Sequence, residues 1–331
     1  MIEKLWFERT PVAHFLFPIL YPASILYRLT SRQKRKQYLN HPSTRYRSPI
    51  PVIVVGNITV GGNGKTPVVI WLTKVLQRMG FRPGIISRGY GGRSKVFPTQ
   101  VTKETPAELI GDEPKMITNR TMSPVVVAPI RSQAIKLLID LDVNVVISDD
   151  GLQHYAMDRD IEFLVIDGKR RFGNGKFLPL GPLREPLDRL DRVDFIINNG
   201  GPTFGREIPM VLEPDLAINL LSGRRVNPCS LGSVDAFAGI GHPIRFFQTL
   251  EQMGMKVRTK VAFKDHQRYS GKILAPFLQS TRNIIMTEKD AVKCHKFASA
   301  DWWYLPVNVK LKAGDRDKII SRLKEVLEDD R

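Results

Sequence analysis

Acidic side chains are nearly missing from the first hundred residues, which hold only Glu3 and Glu8 against sixteen Lys and Arg. That third of the chain therefore carries +14 of the net charge of +17, and an asymmetry of this size implies an anionic partner near the N-terminus. Cysteine is just as scarce. Cys229 and Cys294 are the only two, neither lies in a CxxC, and the pair excludes a disulfide framework and a cysteine zinc site, which favours a reducing compartment. Internal repeats and low-complexity tracts are absent, so solenoids and disordered tails are not the starting point. With 331 residues, 42% of them hydrophobic, the chain can bury one large or two ordinary cores.

Pro11–Tyr27 has no Lys, Arg, Asp or Glu in seventeen residues and runs into Arg28, Arg32, Lys34, Arg35 and Lys36. A full span needs about 20 apolar residues. Pro18 and Pro22 would kink a helix, His14 is semi-polar, and Tyr21 and Tyr27 suit an interface. The expectation is a helix lying in or dipping into a leaflet, its basic flank on anionic head groups. A signal peptide is disfavoured, because the basic residues follow the apolar stretch and no small-residue cleavage site does. A helix packed on the protein's own core is the alternative. Nucleic acid is disfavoured as the anion, since the basic excess sits beside an apolar segment without interleaved aromatic stacking positions. Nothing implies a protein partner.

Beyond a connector at 41–51, short apolar runs alternate with helical patterns, as in a mostly parallel sheet with helices on both faces. Strands are expected at 51–55, 84–87, 125–128, 143–148, 161–166 and 195–198, with a helix over 66–79. The looser Gly- and Pro-rich stretch 200–228 reads as a connection to a second unit. In that unit strands are expected at 234–238, 256–263, 283–286 and 302–309, with a last helix at 315–327. The division is a membrane-associating segment 1–40, a P-loop core 41–225 and a smaller α/β unit 226–331.

The string TVGGNGKT follows the first strand and opens the helix, the setting in which a glycine-rich GK[ST] run binds phosphate. Thr59, Val60, Gly61, Gly62, Asn63 and Gly64 would turn backbone N–H groups toward the β-phosphate at the helix N-terminus. Lys65 would reach the β- and γ-phosphates and Thr66 would ligate Mg²⁺. Thr59 departs from the pattern, which has glycine first. A glycine-rich turn with an incidental lysine is the bland reading. The run 143–148 ends in Asp149-Asp150, two adjacent carboxylates that are costly unless a cation such as Mg²⁺ neutralises them, although either could instead cap a turn. A GTPase should carry N-K-x-D, and the nearest string, Thr287-Glu288-Lys289-Asp290, has Glu where Lys is needed.

These strings together resemble the tetraacyldisaccharide 4'-kinases of Gram-negative bacteria over most of the chain. The resemblance rests on VGNITVGGNGKTP (55–67), SRGYGG (87–92), GDEP (111–114), DDGLQH (149–154), LPLGPLREP (178–186), Asp265-His266 and TEKDAVK (287–293). It implies ATP and Mg²⁺, an acylated disaccharide 1-phosphate held in the bilayer, and work at the cytoplasmic face of the inner membrane. It also implies Asp112 as general base with His266 beside it, and Lys65 and Arg184 in the catalytic set. Glu185 would join Thr66, Asp149 and Asp150 about the metal, and Arg88, Tyr90, Arg131, Gln153 and His154 would serve the acceptor. Within the family a non-glycine at position 59 is tolerated. Read from the residues alone, Asp112 is an ordinary helix N-cap before Glu113-Pro114, His154 could be a packed core histidine, and TEKDAVK is a strand end with a capped helix. A membrane-associated P-loop GTPase or ATPase switch or scaffold is the alternative function.

Overall fold

The computed structural model describes residues 2–7 and 11–328, with the backbone alone for 2–4 and 11–15. His14 thus lies outside the residues whose side chains are described. Strands Val52–Gly56, Pro83–Ser87, Val125–Val127, Val145–Asp149 and Ile161–Asp167 are buried at every position. That is what covering both faces of a parallel sheet requires, and it explains their continuous apolar runs. Side chains still alternate between faces. Ile53, Val55 and Ile85 join a core completed by helices Lys65–Arg78, Asp112–Thr121 and Ala313–Glu328, whereas Val52, Val54 and Ile86 join a second core with helix Arg131–Asp140.

In order across the large sheet lie Val307–Leu311, Glu207–Pro214, Phe195–Asn199, Ile161–Asp167, Val52–Gly56, Val145–Asp149, Pro83–Ser87, Val125–Val127 and Thr99–Val101. Only the two edge strands are antiparallel to their neighbours. Val52–Gly56 is paired on one side with the strand that ends in Asp149 and on the other with Ile161–Asp167. The chain leaves its carboxyl end at a topological switch point, where such sheets bind ligands.

The smaller sheet holds six strands, Arg225–Val226, Ala217–Asn219, Trp302–Leu305, Asn283–Thr287, Ser233–Ala238 and Lys256–Ala262. Two expectations change here. The second unit begins near 215 and not 226, because residues 200–228 contain strands Glu207–Pro214 and Ala217–Asn219, which belong to different sheets. It also ends near 306. The expected strand 302–309 is broken at Pro306, and Val307–Leu311 returns to pair with Glu207–Pro214 in the large sheet. The helix after it buries Ile319, Leu323 and Leu327 in the first core. The small unit is thus an insertion.

Pro11–Asn40 is one helix of 30 residues that continues through Pro18 and Pro22. One face docks on the protein: Ser24 Oγ donates to Phe177 O at 2.8 Å and Ser31 Oγ to Arg184 O at 3.2 Å. The Arg28 guanidinium lies over the Phe177 ring. The opposite face exposes Ile19 (70%), Leu26 (63%) and Leu29 (56%), in helical register with one another. The alternative of a helix packed on the protein's own body holds for one face, and the other face is exposed. Among the described residues no helix is long and apolar enough to cross a membrane.

Candidate active site

The phosphate loop is shaped by its glycines. Gly61 and Gly64 take φ of 113° and 93°, the left-handed side that disfavours any Cβ. At Gly64 a Cβ would also stand 2.5 Å from Asn199 Nδ2. Thr59, which departs from the glycine of the pattern, is tied across the loop: Asn63 Nδ2 donates to its Oγ1 at 2.8 Å. Val60 N donates to Pro182 O at 2.8 Å and fixes the loop to the 178–186 segment. Helix Lys65–Arg78 starts from Gly64, so Lys65 and Thr66 stand in its first turn.

Asn199, which carried no signal in the sequence, closes the other side. It ends a buried strand, donates to Asn63 O at 3.0 Å and accepts from Arg245 of the small unit at 2.9 Å. Arg245 also lines a cavity of about 270 Å³ with Asp167, Lys169, Arg170 and His242.

The structure separates the roles of the two adjacent aspartates. Asp150 sits at φ 49° and is gripped by both Arg184 terminal nitrogens at 2.9 and 3.1 Å, with Lys65 Nζ at 3.6 Å. Burial would raise its pKa, but Lys65 and Arg184 outweigh burial and hold it far below the carboxylate range. Asp149 faces inward, and its Oδ1 is buried with no hydrogen-bond partner. Burial first, then Asp150 and Glu113, push its pKa up to about 7 against Lys65 and Arg131. A buried carboxylate oxygen without a donor, beside a second acid, fits a hard divalent cation such as Mg²⁺.

Four of the expected site residues are already engaged by neighbours within the protein. Glu185 is fully buried, and its oxygens already accept from Gln153 Nε2 at 2.5 Å and Tyr155 OH at 2.6 Å, with Arg189 Nε at 3.2 Å. It braces the loop under the aspartates, with both oxygens already hydrogen-bonded. Gln153 is spent on that brace and on Asn57 O at 2.9 Å. Arg131 is buried beneath the site and donates to Ala128 O and Asp149 O. Burial lowers its pKa to about 10 although Asp149 and Asp150 oppose this, and it offers no exposed clamp. Arg184 is likewise engaged by Asp150. Arg88 and Tyr90, by contrast, are exposed at the carboxyl end of strand Pro83–Ser87. His154 is half-buried, and burial with the charges of Arg131, Arg159, Lys34 and Arg88 lowers its pKa to about 4, so it is neutral at pH 7.

Across the cleft the cap reading of Asp112 fails. Asp112 is the first residue of its helix, Gly111 stands at the cap without a side-chain bond, and Asp112 Oδ2 faces His266 Nδ1 at 3.2 Å. Two residues 154 positions apart are thereby brought together. Burial raises the Asp112 pKa, but the His266 contact with Lys293 and Lys289 lowers it more, leaving a net depression. Both lysines come from the TEKDAVK segment, to which the sequence reading gave no chemistry. Its Thr287 does cap helix Glu288–Cys294, accepting from Asp290 N. The phosphate loop and this pair border the same glycine: a Cβ at Gly241 would stand 3.0 Å from Gly62 N and 3.4 Å from Asp265 Oδ2, next to His266.

The family described as Tetraacyldisaccharide-1-P 4'-kinase matches residues 16–328. The curated Tetraacyldisaccharide 4'-kinase of Vibrio vulnificus is 52% identical over 329 residues, covering 99% of this chain and 98% of its own. That of Photobacterium profundum is 49% identical over 335 residues, covering 99% and 97%. Among solved structures, LpxK from Aquifex aeolicus in complex with ATP aligns with a TM-score of 0.77 at 26% identity, covering 96% of this chain and 99% of that one. Agreement of this extent in sequence and in fold makes the chain a member of the tetraacyldisaccharide-1-P 4'-kinase family.

Proposed function

We propose that the chain transfers the γ-phosphoryl group of ATP to the 4'-hydroxyl of a tetraacylated glucosamine disaccharide 1-phosphate, the lipid A precursor, at the cytoplasmic face of the bacterial inner membrane. The observation that carries this reading is that Gly241 lies against both Gly62 of the phosphate loop and Asp265, the neighbour of His266, whose ring faces Asp112. Lys65, the loop amides and the helix N-terminus hold the triphosphate, and the basic cavity beside Arg245 is the room for the rest of the nucleotide. Asp149 and Thr66 would hold Mg²⁺, which neutralises charge on the β- and γ-phosphates when bound. Asp112 accepts the proton of the acceptor hydroxyl as that oxygen bonds to the γ-phosphorus. The bond from phosphorus to the β–γ bridging oxygen breaks, and ADP departs. Arg88 and Tyr90 stand at the open rim for the acceptor.

The test is incubation with γ-labelled ATP, Mg²⁺ and a mixed bacterial lipid extract, with the product identified by mass. Label in a lipid disaccharide is the expected result, whereas label released only as inorganic phosphate would favour an ATPase switch or scaffold.

An acceptor with acyl chains stays in the bilayer, so the cleft must reach the surface. The exposed stripe of Ile19, Leu26 and Leu29, with Arg32 and Lys36 beyond it, is proposed as the membrane-facing side of the first long helix. Replacing all three apolar residues by glutamine is expected to lower partition onto anionic vesicles roughly tenfold or more, since each buried Leu or Ile is worth about 1.5–3 kcal/mol. Fold and turnover on detergent-dispersed acceptor should persist, because the docked face is untouched. Unchanged vesicle binding would refute the assignment.

A further inference from the structure

The TEKDAVK helix brings two lysines, one turn apart, to opposite ends of the Asp112–His266 pair. Lys293 Nζ lies 3.4 Å from Asp112 Oδ2 and 3.1 Å from Asp290. Lys289 Nζ lies 3.2 Å from His266 Nε2, 2.6 Å from Glu113 and 3.1 Å from Asp265. Asp290 anchors the helix in the small unit, accepting from Tyr269 OH at 2.8 Å and Gly239 N at 2.9 Å. The lysines thus reach the Asp112 helix from a rigid mount.

We propose that Lys289 is a positioning residue: its ammonium donates to Nε2 of His266, which keeps the imidazole neutral with its proton on Nδ1, so that His266 donates to Asp112. The argument is one of donor count. An ammonium has three donors and no acceptor, so a ring nitrogen that meets it must carry a lone pair. With Nε2 so occupied the single ring proton is on Nδ1, which faces Asp112 Oδ2 at 3.2 Å. Asp112 then remains an ionised acceptor beside a neutral donor. Next to an imidazolium it would be a weaker base.

Charges of both signs surround the ring. Facing His266 are Asp112 and Glu113 from one helix, Asp265 from its own loop, Lys289 from the TEKDAVK helix, and the edge of the Tyr90 ring at 5.1 Å. Lys293 stands behind Asp112. Burial lowers the His266 pKa, but Asp112, Glu113 and Asp265 together outweigh burial and Lys289, and the net direction is upward. Lys289 keeps its own proton, because Glu113 and Asp265 outweigh burial and raise its pKa. Without Lys289, Glu113 Oε1, 3.6 Å from Nε2, is released to accept from a protonated ring.

This inference rests on Asp112 being the base, and two measurements keep the claims apart. In protein labelled with ¹⁵N-histidine, the His266 signal, assigned by its loss in His266→Asn, should show an unprotonated Nε2 near pH 7.5. In Lys289→Met both ring nitrogens should carry protons at that pH. The acid limb of the kcat–pH profile should then move up by about one unit, a tenfold loss on that limb, with KM for ATP little changed. Lys289→Arg, which keeps the cation, should restore most of the wild-type profile, and Lys289→Gln replaces the methionine variant if that fails to fold. A protonated Nε2 in the wild type, or a uniform loss of rate with no shift of the profile, would overturn the role of Lys289. Full turnover in Asp112→Asn would overturn the base reading instead, and the ring signals judge Lys289 independently of it.

Discussion

Replacing Asp112 with asparagine is expected to lower kcat by about 10²–10⁴-fold, the range for loss of a positioned general base, while ATP affinity stays near wild type. The amide matches the carboxylate in shape and can still meet His266, so the helix that begins at Asp112 is preserved. What is lost is the acceptor for the sugar proton, along with a charge that Lys293 faces at 3.4 Å. The stability effect follows from the depressed pKa of Asp112. Its contribution is fully present above the ordinary value of 3.8 and is lost as pH falls through the lower folded value. The melting temperatures of wild type and variant should therefore differ at pH 7 and converge in acid. Turnover in Asp112→Asn within a few-fold of wild type, with ATP binding intact, would rule out the assignment.

Asp149→Asn should behave in the opposite way toward stability while also costing activity. The Asp149 pKa is raised to about 7 from 3.8, chiefly by burial. Between those values the folded state holds a proton that the unfolded chain releases, so stability falls as pH rises across that window, and above it an under-compensated buried charge remains. Asparagine cannot ionise. At pH 8 without divalent cation the variant should melt above the wild type, by on the order of 3 kcal/mol at most, and the gap should close toward pH 4. Turnover should drop by roughly 10²-fold or more, as when one preorganised stabilising group is removed. Mg²⁺ should raise the melting temperature of the wild type and not of the variant. A variant less stable than wild type at pH 8, or one that Mg²⁺ still stabilises, would contradict the placement of the cation at Asp149.

The parallel strands were legible because burial on both faces leaves nothing polar to interrupt them, and the phosphate loop because strand, glycines and helix are contiguous. Legibility failed where partners are distant in sequence. Lys289 and Lys293 acquire meaning only from Asp112 and Glu113, far upstream, and Asn199 only from the loop carbonyl of Asn63 to which it donates. The metal role of Glu185 came from the resemblance alone, and its contacts to Tyr155, Gln153 and Arg189 are invisible in the sequence. The distinction between Asp149 and Asp150 depends on which side of the strand end each faces, and the φ of 49° at Asp150 cannot be read from two identical letters. Strand Glu207–Pro214 was missed because two prolines and glycine-rich flanks hide an edge-side alternation.

That the small unit is an insertion bears on synthesis. The first core includes Ile53 and Val55 but also Ile319, Leu323 and Leu327, so it cannot close until residue 327 has left the ribosome. The inserted unit, whose own clusters lie between Ala217 and Leu305, can fold earlier, since units complete in themselves fold as they emerge. The apolar helix of residues 11–40 appears first of all and waits through nearly the whole of translation for Phe177 and Arg184, and then for the sheet that carries them. A nascent chain of which residues up to 306 have emerged should therefore present a finished small unit, an open phosphate-binding sheet and an exposed apolar helix.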